Sequence, residues 1–290
     1  MAKLETERRP VVLVTGAGKG IGAALARELR NTDYRVIVTV RDEHDLVEHE
    51  HFHLRYLDVT DIAQRHKLIQ EIEEVWGGVD ILINNAGISY RAVVEHMSDE
   101  DEQMQMATNF TAPMALIRSV LPSMRKKRDG RIINISSVSG MMAMPTMGSY
   151  SASKYALEGA TEALWYEMRP WGIKVTLVQP GFIRSNGFRR VYHTRKGDKV
   201  VRENLDYAEY YREMDAFVEK LMTNAHATTE HIAKRVIKVM KQKNPPLRVP
   251  VTIDAHFFGL LRRVLPRRIY HALLYRSLPG VKTWKPHDDV

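Results

Sequence analysis

A tyrosine and a lysine stand four residues apart in the stretch GSYSASKYALEG, residues 148–159. On a helix, residues with this spacing lie on one face about one turn apart, so Tyr150 and Lys154 would project together. A phenol titrates near a pKa of ~10 in water, and a neighbouring positive charge lowers that pKa. The pair could therefore act as an acid/base unit, although the same spacing is common on ordinary helix surfaces. Tyr155 has Gly159 four residues on, and we expect it to be a packing residue.

The stretch VVLVTGAGKGIGAALAREL is typical of a strand, a glycine-rich turn and a helix in succession. Gly16, Gly20 and Gly22 would let the backbone turn tightly and approach a pyrophosphate at the N-terminus of the helix. The spacing departs from G-x-G-x-x-G, and a tight connection between strand and helix is the simpler alternative. Because the turn follows the first predicted strand and opens the first predicted helix, the pattern favours nucleotide binding.

The residues after the second predicted strand bear on the choice between NAD and NADP. A carboxylate at this place would accept hydrogen bonds from the ribose 2′-OH of NAD. This chain has Arg41 instead, and Lys19 in the glycine-rich turn adds a second cation. Both favour the 2′-phosphate of NADP, since Arg binds phosphate in a bidentate manner. Asp42 opposes this assignment unless its side chain points outward, and solvated surface charge is the alternative for the two cations.

Short apolar segments alternate with helical patterns over the first 180 residues. The predicted strands are 11–15, 35–40, 52–57, 79–85, 130–136 and 173–179, and helical spacing covers 21–30, 61–75, 99–127 and 150–169. This alternation predicts an α/β fold with one doubly wound parallel sheet and helices on both faces. Ligands of such folds lie beyond the carboxyl ends of the strands. Residues 182–225 are polar and aromatic and would cover that crevice, and 228–243 and 247–252 predict a further helix and a last strand.

Seven motifs, in this order and spacing, resemble those of the short-chain dehydrogenase/reductase family over about residues 10–255. They are TGAGKGIG (15–22), Asp58–Val59, NNAG (84–87), Asn109, NISSVSG (134–140), YSASK (150–154) and PG (180–181). The resemblance implies a Rossmann-type catalytic domain over 1–254 and a homodimer or homotetramer. It is closest to the hydroxysteroid and retinol dehydrogenase branches of the family.

The resemblance also implies roles for individual residues. Tyr150 would protonate the developing alkoxide, Ser137 would hydrogen-bond the same oxygen, Lys154 would hold the nicotinamide ribose, and Asn109 would anchor a water. Ser136 should point to the other side of the strand end. The cofactor contacts, with the two cations included, would be Gly16, Lys19, Gly20, Ile21, Gly22, Arg41, Asp58, Val59, Asn85, Ala86, Gly87, Tyr150, Lys154, Pro180, Gly181, Ile183 and Ser185.

The bulk composition argues against several other classes of protein. Most of the net charge of +8 comes from residues 241–290, with ten Lys/Arg against three Asp/Glu, so we expect no groove for nucleic acid. The chain has no cysteine, and no apolar run approaches the ~20 residues of a transmembrane helix, so we expect a cytoplasmic protein. A cluster of histidines lacks an acidic third ligand, and we expect no metal; its members are His44, His49, His51 and His53.

Two further segments bear on the substrate and its surroundings. Between the candidate serine and tyrosine lie four methionines that would either fill the core or border a bulky apolar substrate, namely Met141, Met142, Met144 and Met147. Residues 255–290 form a basic extension with two apolar helical faces, Phe257/Phe258/Leu261/Val264/Leu265 and Ile269/Tyr270/Leu273/Leu274. These faces would pack on the domain or on another subunit, or residues 255–276 would bind a membrane surface peripherally.

These features favour an NADP(H)-dependent oxidoreductase that interconverts a carbonyl and an alcohol on a steroid-, retinoid- or lipid-like substrate. A carrier-bound 3-oxoacyl reductase is an alternative, although its usual compact form ends near the last strand. A nucleotide-sensing protein without turnover is an alternative from another class. The presence of Ser137, Tyr150 and Lys154 argues against the sensor, because a sensor has no need of a proton donor.

Overall fold

The centre of the computed structural model, which describes residues 8–184, 191–281 and 284, is a seven-stranded parallel sheet. Nine strands are formed in the described residues: β1 Val11–Val14, β2 Arg35–Val40, β3 Phe52–Tyr56, β4 Ile81–Asn84, β5 Tyr90–Arg91, β6 Gly130–Ile135, β7 Ile173–Gln179, β8 Tyr192–His193 and β9 Arg248–Pro250. The large sheet has the order β3-β2-β1-β4-β6-β7-β9, and β5 pairs with β8 separately. The strand order reverses at β1/β4, which is where a doubly wound sheet opens a ligand crevice.

Helices cover both faces of the sheet, because its central strands are apolar on both sides. Those described are α1 Gly20–Leu29, α2 Ile62–Trp76, α3 Asp99–Met106, α4 Ala112–Lys127, α5 Gly148–Met168, α6 Arg195–Glu203, α7 Ala208–Thr223, α8 Thr229–Lys241, α9 Ile253–Val264 and α10 Arg267–Ser277. One core lies under α1 and α8, and the other under α2, α4 and α5. The predicted doubly wound fold with C-terminal helices is confirmed. Within the described part of the chain, no helix is long and apolar enough to cross a membrane.

Two predicted segments have more structure than the sequence pattern indicated. The helix predicted over 99–127 is interrupted by a π-helical turn at Ala107–Thr111. Pro113 has no N–H to donate to the carbonyl four residues earlier, which belongs to Asn109, so a regular α-helical bond cannot form there. The segment 182–225, expected only to cover the crevice, contains α6, α7 and the short strand β8.

Buried polar contacts fix α5 to the sheet. Asn84 Nδ2 on β4 donates to Asn134 Oδ1 on β6 at 2.9 Å, and Asn134 Nδ2 donates to Thr161 Oγ1 on α5 at 2.8 Å. Further along, Glu158 on α5 accepts hydrogen bonds from Gln179 at 2.9 Å and from Arg248 at 3.0 Å. These contacts join α5 to four strands of the sheet, so the side chains in its first turns have a fixed position relative to the strand ends.

Candidate active site

Ser137 and Tyr150 come together beyond the carboxyl end of β6. Ser137 follows the last residues of that strand, and Tyr150 lies in the first turn of α5. The Ser137 hydroxyl interacts with the Tyr150 phenol, and Ser137 Oγ accepts a hydrogen bond from the Ser139 N–H at 3.1 Å. Ser136 is buried on the other side, where a Cβ at Gly140 would lie 2.8 Å from its hydroxyl. The structure therefore pairs the serine and the tyrosine that the sequence selected.

Lys154 lies one turn after Tyr150, and its side chain is only 5% exposed. Its Nζ donates to the carbonyl of Ile135, the last residue of β6, at 2.9 Å and lies 5.8 Å from the centre of the Tyr150 ring. Burial lowers the pKa of Lys154 to about 8, and the negative charge of Glu158, one turn further on, opposes that shift. The ammonium is thus held beneath the candidate tyrosine and still carries most of its charge at neutral pH.

Burial raises the pKa of Tyr150, while the hydrogen bond with Ser137 and the positive charge of Arg91 lower it in part. The sequence had suggested a pKa lowered by Lys154. The difference arises because removing a phenolate from water costs more than the interaction with Ser137 and the charge of Arg91 return. Tyr150 is therefore protonated at neutral pH, which is the state that a proton donor needs.

Asn109 lies within the π-helical turn and is 1% exposed. Its side chain makes two hydrogen bonds with the backbone of Ile88. Asn109 Oδ1 accepts from the Ile88 N–H, and Asn109 Nδ2 donates to the Ile88 carbonyl, both at 2.9 Å. It also donates to Ser153 Oγ at 3.0 Å. A Cβ at Gly87 would lie 3.3 Å from Asn109 Oδ1 and 3.9 Å from Lys154 Nζ, so these groups meet at the end of β4.

The glycine-rich turn between β1 and α1 leaves a cradle that suits a dinucleotide. Gly16 has a φ of +71°, and a Cβ there would lie 2.7 Å from the Ala86 backbone. A Cβ at Gly22 would lie 2.1 Å from the carbonyl oxygen of Gly16. Asn85 Nδ2 donates to the carbonyls of Thr15 and Gly16, each at 3.0 Å, and holds the turn against β4. The helix then begins at Gly20 with Ile21 behind it, so its first N–H groups face the crevice.

The two candidate cations lie at the far end of this cradle. Arg41 follows β2 directly and Lys19 precedes α1, and both are exposed. A hydrogen bond with the Tyr192 hydroxyl and the charge of Asp42 raise the pKa of Arg41. The Asp42 carboxylate lies 3.5 Å from Arg41 Nε and is 79% exposed, so it faces solvent.

Asp58 and Val59 follow β3 on the same side of the sheet. Burial raises the pKa of Asp58, but the hydroxyl and N–H of Thr60 donate to its carboxylate at 2.7 and 2.8 Å and make the net shift downward. Val59 is buried, and its carbonyl accepts a hydrogen bond from Arg65. The ionised carboxylate of Asp58 is therefore suited to accept a hydrogen bond from a donor group of an adenosine.

The turn after β7 is fixed from both sides. The Pro180 carbonyl accepts from the Val138 N–H at 2.7 Å, next to Ser137. Gly181 N–H donates to Thr252 Oγ1 at 2.9 Å, and Phe182 N–H donates to Asp254 Oδ2 at 2.8 Å. Ile183 is half-buried and packs against the core under α1 and α8. Ser185, the remaining predicted cofactor contact, lies outside the described residues.

A cavity of about 180 Å³ opens beside the two hydroxyl groups. Its lining residues are mostly apolar and come from four parts of the chain: Ser89, Arg91, Ser137, Val138, Ser139, Met144, Met147, Tyr150, Gly181, Phe182, Ile183, Val191, Val218 and Met222. Met144 and Met147 line the cavity, and a contact with substrate stays a prediction. Met142 does not line it, because it is 4% exposed and packs in the interior, and Met141 instead contacts α9 through its carbonyl and thioether.

Several lining residues were missed by the sequence analysis. Val218 and Met222 lie four residues apart on α7 and continue the apolar spacing of Tyr211 and Met214, so a helical pattern was available there. Arg91 follows β4 by a short irregular loop, and no pattern gives the direction of its side chain.

The histidine cluster has structural contacts instead of a shared centre. His44 Nε2 lies 2.9 Å from the Gly18 carbonyl, and the His53 ring packs on Trp76 with centroids 4.8 Å apart. Among the residues with described positions, no group of three or more His, Asp or Glu is placed to hold a metal ion.

The lowered pKa of Lys154 makes the stability of the protein without cofactor depend on pH. Its folded pKa of about 8 is below the usual 10.5, so between these values the unfolded state binds more protons and the free energy of unfolding rises with pH. Relative to Lys154→Met, wild type should gain roughly 2 kcal/mol between about pH 8 and about pH 9.5, at ~1.36 kcal/mol per unit. Urea unfolding of both proteins measures this, and parallel pH profiles would contradict it.

The comparisons with known proteins agree with this geometry. A family model described as short chain dehydrogenase matches residues 10–196. The 3-ketodihydrosphingosine reductase of Bacteroides thetaiotaomicron is 36% identical over 241 residues, which cover 83% of this chain and 87% of that protein.

Two solved structures share the fold over most of their length. A short-chain dehydrogenase from Streptomyces avermitilis superposes with a TM-score of 0.77 at 29% identity and covers 92% of this chain and 97% of its own. The structure of ElxO with NADP bound gives a TM-score of 0.65 at 26% identity and covers 84% and 97%. The family match, together with the identity to the Bacteroides reductase, shows that this chain belongs to the short-chain dehydrogenase family.

Proposed function

We propose that the protein is an NADP(H)-dependent oxidoreductase that interconverts a carbonyl and an alcohol on a lipophilic substrate, with Tyr150 as the acid/base. The observation that carries the proposal is that Tyr150 and Ser137 lie side by side in the wall of a mostly apolar cavity, above the buried Lys154. The dinucleotide cradle ends at the same place, so a cofactor and a substrate could meet beside the two hydroxyl groups.

In the reductive direction, the substrate carbonyl oxygen accepts hydrogen bonds from Ser137 and Tyr150. Negative charge develops on this oxygen as the carbonyl is reduced, and two fixed donors stabilise it. Tyr150 then gives its proton to the oxygen, and Lys154 stabilises the phenolate that remains because its ammonium lies next to the ring. In the oxidative direction Tyr150 accepts the proton of the alcohol instead.

The residues of the cradle fit NADP(H), which supplies the hydride when bound. The glycine-rich turn and the N-terminus of α1 would hold the pyrophosphate, and Arg41 and Lys19 would bind the 2′-phosphate. The outward position of Asp42 removes the main objection to NADP. The NADP bound to the related ElxO supports the same choice.

The walls of the cavity support a lipophilic substrate. Met144 and Met147 come from the loop before α5, and Val218 and Met222 from α7, so flexible apolar side chains face each other across it. The name of the Bacteroides relative, a 3-ketodihydrosphingosine reductase, points to a lipid ketone as the type of substrate. A carrier-bound 3-oxoacyl substrate remains the alternative within the same chemistry.

The free energy needed to bury charged groups at the site argues against a nucleotide sensor without turnover. The structure buries the ammonium of Lys154 and the carboxylate of Glu158 on the helix that carries Tyr150. Buried charges cost free energy unless they are paired, and a protein that only binds nucleotide gains nothing from this arrangement.

The C-terminal helices support peripheral contact with an anionic membrane. Four apolar side chains form one exposed stripe along α9, with exposed fractions of 79% for Ile253, 55% for Phe257, 61% for Leu260 and 66% for Val264. This stripe differs from the predicted face, because Phe258, Leu261 and Leu265 turn partly inward. Residues 255–281 contain five arginines and no acidic residue, so the same surface is basic.

The position of α9 connects this surface with the site. Thr252 and Asp254, at the start of the helix, hold the backbone of Gly181 and Phe182, which border the cavity. A lipid surface bound along the stripe would therefore lie near the cavity, where a substrate dissolved in the bilayer could enter. A homodimer or homotetramer, which would cover this stripe in the alternative case, stays a prediction.

Replacing Tyr150 by Phe should lower kcat by ~10²–10⁴-fold, the usual contribution of a general acid, while NADPH binding changes little. The change removes the donated proton and keeps the ring. Steady-state kinetics with the best ketone and NADPH fluorescence measure the two quantities. Tyr155→Phe is the matched control, because Tyr155 is one residue further on α5 and bonds Arg262 instead of Ser137. Wild-type turnover by Tyr150→Phe would exclude the assigned role.

Replacing Arg41 by Ala should lower kcat/KM for NADPH much more than for NADH, by roughly 10- to 100-fold in the ratio, because hydrogen bonds to a charged group contribute ~1.5–3 kcal/mol. Asp42→Ala is the control and should keep the preference for NADPH. A wild-type preference for NADH would show that the cations do not serve the 2′-phosphate.

The membrane proposal predicts that wild-type protein floats with anionic liposomes at low salt and is released by high salt, since each basic residue contributes ~1 kcal/mol at such a surface. The double variant Phe257→Ser/Leu260→Ser should bind less, and so should Arg263→Gln/Arg267→Gln/Arg268→Gln. Light scattering reports the oligomeric state of each. Absence of wild-type binding contradicts the proposal, and dissociation of the serine variant into monomers would identify the stripe as a subunit interface.

A further inference from the structure

Helix α9 contacts the loop 141–147, which carries two of the methionines that line the cavity. Arg262 Nη1 donates to the Met141 carbonyl and, at 2.5 Å, to the Tyr155 hydroxyl on α5. The guanidinium carbon also lies 5.3 Å from the centre of the Tyr155 ring. In the preceding turn of α9, a Cβ at Gly259 would lie 3.6 Å from Met141 Sδ. The helix therefore holds Met141 through both its backbone and its side chain.

The loop is anchored to distant parts of the chain at both of its ends. One anchor is the contact of Met141 with Arg262, and the other is the Thr146 carbonyl, which accepts from the Ala92 N–H at 2.9 Å. Thr146 has a φ of +61°, which a β-branched residue adopts only where the surrounding structure imposes it. Met144 lies between the two anchors and lines the cavity. Its position therefore depends on α9 as well as on the loop itself.

The start of α9 is fixed to a second part of the cavity wall. Thr252 Oγ1 accepts from the Gly181 N–H at 2.9 Å, and Asp254 Oδ2 accepts from the Phe182 N–H at 2.8 Å. Gly181 and Phe182 both line the cavity. The helix cannot slide along its axis without breaking these hydrogen bonds, so Arg262 in its last turn holds the loop at a set distance from that part of the wall.

Resting on the proposed function, we infer that Arg262 is a positioning residue for the substrate, which holds Met144 and Met147 in the cavity wall and thereby sets the preference for long apolar chains. The favourable free energy of apolar contact grows with the area that is buried. A loop released from α9 would therefore weaken the binding of a long chain more than that of a short one. The reacting carbonyl would be bound by Ser137 and Tyr150, and Ser137 is held by the Ser139 N–H instead of by α9.

Amide hydrogen exchange tests the positioning without any need for turnover. With or without NADP, the loop 141–147 should exchange about 10-fold faster in Arg262→Met than in wild type, because a hydrogen bond from a charged group no longer opposes its opening. Exchange in the strands of the large sheet should stay unchanged, which shows that the variant is folded. Arg262→Lys keeps a charged donor and should give an intermediate rate.

Arg263→Met is the matched control for this experiment. Arg263 is exposed at the next position of α9, so its replacement removes the same charge from the same helix. The loop should exchange in this variant as it does in wild type. Equal exchange of the loop in wild type and in Arg262→Met would overturn the inference.

Turnover separates this inference from the proposed function. The value of kcat/KM with NADPH is measured for butanone and for methyl ketones of increasing chain length, in buffer free of lipid so that membrane contact plays no part. Wild type should prefer the longer ketones, and Arg262→Met should lower the long-to-short ratio about 10-fold while its kcat/KM for butanone stays that of wild type. Arg263→Met should keep the wild-type ratio.

The other outcomes of the kinetic experiment are distinct. An unchanged ratio in Arg262→Met would contradict the inference, and so would an equal loss with every ketone, because it would show an effect on the chemistry or on the fold. Reduction of no ketone by wild type would defeat the proposed function instead. Hydrogen exchange would then decide by itself whether Arg262 holds the loop.

Discussion

The site depends on a lysine ammonium buried at the end of a parallel strand. Lys154 lies among groups that each compensate its charge, with the Ile135 carbonyl at 2.9 Å and the Glu158 carboxylate one turn further on α5. This position is possible because β6 ends at the base of the crevice and the contacts of Glu158 with Gln179 and Arg248 fix the helix. Moving α5 along the sheet by one residue would take the ammonium away from the Ile135 carbonyl. The candidate site is therefore tied to the packing of α5 on the sheet.

The same constraint explains how the other candidate catalytic groups are positioned. Tyr150 stands one turn before Lys154, so a helix in this register directs the phenol to the hydroxyl that follows β6. The π-helical turn at Asn109 turns an amide toward the end of β4, where it meets the backbone of Ile88. Ser137 thus comes from the end of β6, Tyr150 and Lys154 from α5, and Asn109 from the π-helical turn.

The sequence predicted the sheet and the order of its helices from the alternation of strand and helix and the glycine turn after β1, and the Tyr150–Lys154 pair from a four-residue separation. Ser137 was selected through the resemblance to the short-chain dehydrogenase/reductase family. The sequence predicted less well wherever a side chain's direction is set by distant residues. Met142 was grouped with Met144, but only the latter reaches the cavity, since the loop folds one methionine into the core. The exposed apolar face of α9 lies one position away from the face that the sequence predicted, again because contacts with distant residues set the direction of the side chains. Arg91 was not selected, because no local pattern gives the direction of its side chain, which meets Asp215 on α7.

Proton donation by Tyr150 is the central claim, and a solvent isotope effect on single-turnover reduction tests it most directly. Enzyme loaded with NADPH would be mixed with the best ketone in H₂O and in D₂O, and the loss of NADPH absorbance followed in each. If the phenol transfers its proton as the carbonyl is reduced, the wild-type reaction is slower in D₂O, and the residual reaction of Tyr150→Phe shows no such dependence. An isotope effect of equal size in both proteins would mean that another group or water donates the proton.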